Sequence, residues 1–300
     1  MPEELLVVFL AGFAASFVDG ALGMGFGPTS SSILLGTGLS PAGISITVNL
    51  AKVAAGATAA VAHWRFRNID RRLVRRLAGP GCLGALLGVT ILARVDGDQL
   101  RPVLSGLLLV IAARILLRFS RPLPASAGDA APDGTGAPAD LRGTEAVAAV
   151  GGVTNGLVGA WGPIVTPFLL HRGLAPRFAI GSVNTAEVAV AVVASGSLLA
   201  SVGGSGIAVG TVVAMLSGAV VAAPIAAWSI RFLPARGLGV GVGAVLLVTN
   251  VRELAGAAGV GAARWAGYGL VVAVCAASAL RPRLLRRSHV ADAPLAVARR

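Results

Sequence analysis

Predominantly apolar runs recur along this chain at roughly 5–24, 41–62, 77–93, 102–118, 143–160, 174–200, 207–230, 237–251 and 264–280. Most reach the about 17 to 25 residues that a helix needs to cross a hydrocarbon layer. In lipid, every backbone N–H and C=O must be satisfied inside the protein, so such runs have one common solution, a bundle of helices. Composition agrees: 55% hydrophobic residues, 13% charged residues and a mean hydropathy of +0.82 are incompatible with an ordinary water-soluble domain. The chain reads as an all-α integral membrane protein. Its net charge of +12 comes from arginines that flank apolar runs. The bilayer accounts for that distribution, and no nucleic-acid partner is expected. Residues 5–18 have the length of a secretory signal, but no basic residue precedes them and Glu3 and Glu4 are the wrong flank, so they are expected to stay in the fold.

Two shorter runs, 28–37 and 163–170, cannot span alone. Each follows a glycine-rich break and begins with proline, in "GMGFGPTSSSILLG" and "GAWGPIVTPFLL", which predicts the returning arm of a re-entrant hairpin. Residues 119–142, rich in Pro, Ala, Gly and Asp, read as a flexible linker. On either side of it lie two copies of one unit. At a constant offset of 135, Gly27, Pro28, Gly38, Leu39, Pro41, Val48 and Asn49 fall on Gly162, Pro163, Gly173, Leu174, Pro176, Val183 and Asn184. With one residue gapped, Asp19-Gly20 falls on Asn155-Gly156. Internal duplication of this kind is common in secondary transporters, whose binding sites lie between the halves near the midplane. The expected organisation is a first transmembrane repeat at 1–118, the linker, a second repeat at 143–253, and an extra helix with a basic tail at 254–300. Each repeat is expected to hold one hairpin and three crossing helices.

Lys52 is the only lysine, and it sits inside an apolar run. Its counterpart at the same offset is Glu187, likewise intramembrane, and each follows an asparagine by three residues: Asn49-x-x-Lys52 and Asn184-x-x-Glu187. That spacing puts amide and charge on one helical face. An ionisable group at this depth costs at least about 2.5–3.5 kcal/mol on insertion scales, so function is its default reading. A salt bridge that only locks the halves together is the bland alternative. Asp19, near the first hairpin tip, reads either as a proton or cation site or as a partner of Lys52; the pairing is favoured because a lone carboxylate at depth is costly.

Arginine distribution orients the repeats. A hairpin plus three crossings per half is an odd number, which inverts one half relative to the other. With the N-terminus outside, nineteen arginines then fall inside and four outside, whereas parallel halves give no bias. The inverted arrangement is expected, with "HWRFRNIDRRLVRR" at 63–76 as an inside loop and the C-terminal tail cytoplasmic. Arg114, within a span, is expected to snorkel.

A duplicated glycine-rich loop leading to proline, a polar helix start and a basic loop after the first copy resembles the sulfite exporter TauE/SafE family, also called the toluene sulfonate uptake permeases. The likeness covers about residues 8–118 and 145–253. "GALGMGFGP" at 20–28 follows the glycine run, while "GLVGAWGP" at 156–163 departs from it at Trp161. The resemblance implies movement of small sulfur-containing or organic anions such as sulfite, sulfonates or related carboxylates.

The residues fit such a role. Gly23, Gly25 and Gly27 free backbone N–H groups to face a ligand, and Gly162 is their counterpart in the second half. Pro28 and Pro163 suit the first turn of a helix, whose N-terminal end attracts anions. Ser30 and its neighbours add hydroxyls, although a bond back to their own helix is the plainer use of a helical serine. Lys52 and the hairpin amides are the expected anion receptors, Asn49 and Asn184 orient it or satisfy unwound backbone, and Glu187 and Asp19 are the candidate coupling sites. Enzyme chemistry finds no support: His63, His171 and His289 lack ligand spacing, Cys82 and Cys275 read as packing residues, and "GLGVGVGAV" at 237–245 reads as a helix-packing face rather than a dinucleotide loop. A secondary transporter of the inner or plasma membrane working by alternating access is therefore expected. Its partners are a small anion, the bilayer and a proton or other coupling ion; a homodimer stays open, and no cofactor or metal is implied. A receptor or scaffold is the competing class.

Overall fold

The computed structural model describes residues 2–22, 24–120, 141–202, 209–229 and 235–259, with residues 269 and 273. These form ten helices and no strand: α1 (Pro2–Leu22), α2 (Phe26–Leu35), α3 (Pro41–Arg65), α4 (Arg71–Arg94), α5 (Gly97–Ser120), α6 (Thr144–Val158), α7 (Gly162–His171), α8 (Pro176–Val202), α9 (Val209–Ser229) and α10 (Ala235–Ala257). Among the described residues, five helices are long and apolar enough to cross a membrane: α3, α4, α5, α8 and α10. The order of elements repeats, with a helix, a ten-residue short helix and three long helices on each side of residues 121–140. Those residues carry nearly all of the expected linker and lie outside the described part, as do the 264–280 span apart from residues 269 and 273, and the tail.

Local chemistry sets the boundaries. Ser40 caps α3 by accepting the Gly43 amide at 3.1 Å, and Pro41 occupies the first turn, where a missing N–H costs nothing. Asp70 caps α4 by accepting the amides of Arg72 and Leu73 at 2.8 and 3.2 Å. This corrects the reading of 63–76 as a loop. Arg71, Arg72, Arg75 and Arg76 are the first turns of α4, and only Phe66–Asp70 separate it from α3. Hydropathy fails there because the arginines prolong the helix past its apolar part.

The two halves interlock by exchange: α4 of the first packs extensively on α6 of the second, and α9 of the second on α1 of the first. Both contacts are made at glycines. A Cβ on Gly84 would overlap the Ala149 carbonyl, and one on Gly152 the Gly81 carbonyl. In the other pair, a Cβ on Gly12 would overlap the Met215 carbonyl, and one on Gly218 the Phe9 carbonyl. Close backbone approach at small residues is how helices associate where lipid is as apolar as leucine. α4 accordingly buries Gly81, Gly84, Ala85 and Gly88 and turns Leu83, Leu86 and Leu87 outward. Gly239 and Gly243 of α10 meet Phe119 and Leu116 of α5, so part of the glycine series at 237–245 packs helices as expected.

α3 and α8 also pack on each other across the halves. The α2–α3 junction lies beside the start of α5, where Gly97 adjoins Pro41 and Arg101 donates to the carbonyls of Gly38 and Leu39 at 2.7 and 2.8 Å. The start of α8 lies at the other end of α3, where the Asp70 amide donates to Ser182 Oγ at 2.9 Å.

Candidate functional site

The breaks between α1 and α2 and between α6 and α7 create the site. α6 ends at Gly159 in the left-handed conformation (φ 67°), its amide returning to the Asn155 carbonyl at 2.8 Å. α2 begins after Gly25, whose φ of 132° is open to glycine and strained for other residues. A helix cut short inside a membrane leaves carbonyls with no intrahelical partner. Side chains from the first half satisfy those of α6: Ser31 donates to Val158 at 2.8 Å, Ser45 to Gly156 at 2.6 Å, and Lys52 Nζ to Gly159 at 2.7 Å. A cation at a helix C-terminus also meets the negative end of its dipole.

Lys52 has two further partners. Nζ donates to Asn155 Oδ1 at 2.7 Å and is ion-paired with Glu187. Asn155 is fixed in turn, its Nδ2 donating to Asn49 Oδ1 at 2.8 Å while Asn49 Nδ2 donates to the Ser45 carbonyl at 2.9 Å. Three partners match the three N–H donors of an ammonium. The Lys52 side chain is 7% exposed and that of Glu187 19%. Eleven residues separate Lys52 from Pro41 and thirteen from Arg65, which at about 1.5 Å per residue places it midway along α3.

Around this pair lies a pocket whose room for the centre of a water molecule is about 70 Å³, several times what one water needs. It is lined by Asp19, Met24, Gly25 to Pro28, Lys52, Gly159, Gly162, Pro163, Asn184 and Glu187, and by Ala55, Gly56 and Ala59 of α3. Residues 52, 55, 56 and 59 form one helical face. The lining follows α3 from Lys52 towards Arg65, whereas Ser45, Val48 and Asn49 on the other side of Lys52 are sealed. The N-terminal ends of α2 and α7 both border the cavity.

Most of the residues expected from sequence meet here: Asp19, Gly25, Gly27, Lys52, Gly162, Asn184 and Glu187 line one pocket. Gly23 lies outside the described residues. Two others stand behind the wall: Asn49 is fully buried in the amide network, and Ser30 gives its hydroxyl to the Phe26 carbonyl at 2.7 Å. The favoured pairing of Asp19 with Lys52 is corrected. Glu187 takes the ion pair, and Asp19 Oδ1 accepts the first amide of α2, that of Phe26, at 3.3 Å. The physical reason is that the α2 N-terminus offers Asp19 a donor and a dipole of its own. Asn184 has no hydrogen-bond partner among the described residues and faces the cavity. Asn155 and Gly159 are site residues that the sequence reading did not single out, although the match of Asp19-Gly20 to Asn155-Gly156 pointed to the first. Trp161, the departure from the glycine run, is wholly buried off the pocket; its indole donates to the Val183 carbonyl at 3.2 Å, and it packs against Gly81 and Gly151.

The profile of the family described as sulfite exporter TauE/SafE matches residues 8–252. The chain belongs to that family. This TauE/SafE protein is also 35% identical over 262 residues to the probable membrane transporter protein YtnM of Bacillus subtilis (strain 168), a match that covers 84% of the chain and 83% of the relative. No solved structure gives a significant match. The chain is thus a member of a family of membrane transporters, with five described helices long and apolar enough to cross a membrane.

Proposed function

We propose that the protein is a secondary transporter that moves a small anion, namely sulfite, a sulfonate or a related organic acid, across the cell membrane by alternating access between two inverted halves. The observation that carries this reading is the convergence on one pocket, midway along α3, of Lys52, two helix N-termini and two carboxylates. Helix N-termini and an ammonium attract an anion, and the small volume favours a compact one over an aryl sulfonate. Lys52 and the α2 and α7 ends receive the anion, Asn184 orients it, and Asn49 acts through Asn155 to hold Lys52. Glu187 competes with the anion for Lys52 and is released by taking a proton; Asp19 is the second candidate proton site.

Inversion is supported by the arginine split and by the junctions after α2 and α7, which fall towards opposite ends of α3. With the 66–70 turn inside, the α3 part of the pocket lining runs from Lys52 towards the cytoplasm. The experiment is flux of [35S]sulfite, [14C]methanesulfonate and [14C]acetate in proteoliposomes. Flux above protein-free vesicles for at least one anion is expected, and its absence for all three, with folded protein in the bilayer, favours a receptor.

A further inference from the structure

We infer that this carrier performs net transport and is not an obligate anion exchanger, because Glu187 serves as a built-in stand-in for the substrate on Lys52. The inference rests on the reading of the pocket as an anion site. A buried ammonium whose only counter-charge is the cargo is left bare when the cargo departs, and the cost of that charge at the midplane prevents the empty carrier from turning over. Such a carrier moves label only against another anion.

Here Lys52 has a counter-charge within the protein. Lys52 keeps its bonds to Asn155 and Gly159 and is ion-paired with Glu187. The pairing partners sit on α3 and α8, one from each half, so the neutral pair spans the seam along which the halves would move. The α2 N-terminus is treated alike: its first amide is held by Asp19, the pocket's other carboxylate. Two of the three anion-attracting groups, Lys52 and the α2 N-terminus, are therefore held by the protein's own carboxylates. The charged groups lining the pocket are Asp19 from α1, Lys52 from α3 and Glu187 from α8; α2, α6 and α7 contribute uncharged lining. When an anion takes Lys52, the displaced Glu187 carboxylate accepts a proton on its oxygen, and that proton crosses in the same direction as the anion. On release the proton leaves, and Glu187 returns to Lys52 for the empty passage.

The test compares efflux of [14C]methanesulfonate and [35S]sulfite from proteoliposomes into anion-free buffer with efflux into buffer holding the same unlabelled anion. Wild-type protein is expected to empty into both. In Glu187→Gln, which keeps the shape but not the charge, efflux into anion-free buffer is expected to fall relative to exchange on the order of a hundredfold. Wild-type efflux that requires unlabelled anion outside overturns the inference while leaving the transport reading intact. Undiminished net efflux by folded Glu187→Gln overturns it too. Absence of both kinds of flux in wild type removes the transport reading itself. Should Glu187→Gln fail to fold, the wild-type comparison alone decides.

Discussion

Removing both ends of the Lys52–Glu187 pair should cost less than the two single removals added together. Lys52→Ala leaves a carboxylate that is 19% exposed without its cation, and strips a donor from Gly159 and Asn155 Oδ1. Breaking a buried pair from one side costs about 3–5 kcal/mol, and the partial exposure of Glu187 puts this case near about 3. Glu187→Ala leaves an ammonium that is 7% exposed, but two hydrogen bonds and the end of α6 still hold it, so about 3 kcal/mol is expected again. In the double variant no charge is stranded, and the loss is that of two hydrogen-bonded acceptors, about 1–3 kcal/mol each at most. The singles together, about 6 kcal/mol, then exceed the double, about 2–6 kcal/mol, by up to about 4 kcal/mol. Denaturant unfolding of the four proteins in detergent, combined as a double-mutant cycle, measures that coupling. A coupling below about 0.5 kcal/mol would mean that the pair contributes nothing as a pair. Flux separates the two roles: a stable but inactive double variant supports transport, and wild-type flux in the double variant makes the pair purely structural. Lys52→Arg should restore flux only in part, since a planar fork does not replace a compact ammonium between three partners.

Gly25→Val should abolish anion flux while the protein still reaches the membrane, because φ of 132° resists a β-branched residue and the new Cβ would stand 3.0 Å from Val18 Cγ1; normal flux would make this glycine a packing residue only. Gly84→Val should destabilise the protein by about 1–3 kcal/mol or more by forcing α4 off α6, whereas Gly79→Ala, which meets open space, should be near neutral; thermal unfolding compares them. Cysteine at Thr37, in the exposed α2–α3 turn, should label from outside, and cysteine at Ala175, in the equivalent α7–α8 turn of the second half, only after the membrane is opened. Labelling of both from one side contradicts inversion.

The helices were legible because the bilayer imposes a length on each apolar run, and the short helices α2 and α7 because glycine and proline mark where a run must break. Lys52 and Glu187 came into view together through the constant offset, which places them on matching faces of α3 and α8. What sequence could not supply is how the helices cross. Ser31 and Ser45 look like helix decoration until α6 is seen to end against them. The cost of a lone carboxylate at depth points Asp19 to Lys52, because the α2 amide that it accepts is a backbone group and has no letter in the sequence. The arginines of α4 hid a helix by being hydrophilic, even though Asp70 stands before them as a readable cap.

The central claim is that an anion passes through the pocket beside Lys52. Ala55, one turn along α3 and part of the lining, is the place to test it. In a background with Cys82 and Cys275 replaced by alanine, Ala55→Cys is treated with a methanethiosulfonate reagent carrying a sulfonate, and modification is followed by mass alongside flux of [14C]methanesulfonate. The account predicts that modification stops flux and that excess unlabelled anion slows the modification. Complete modification with unchanged flux would contradict it.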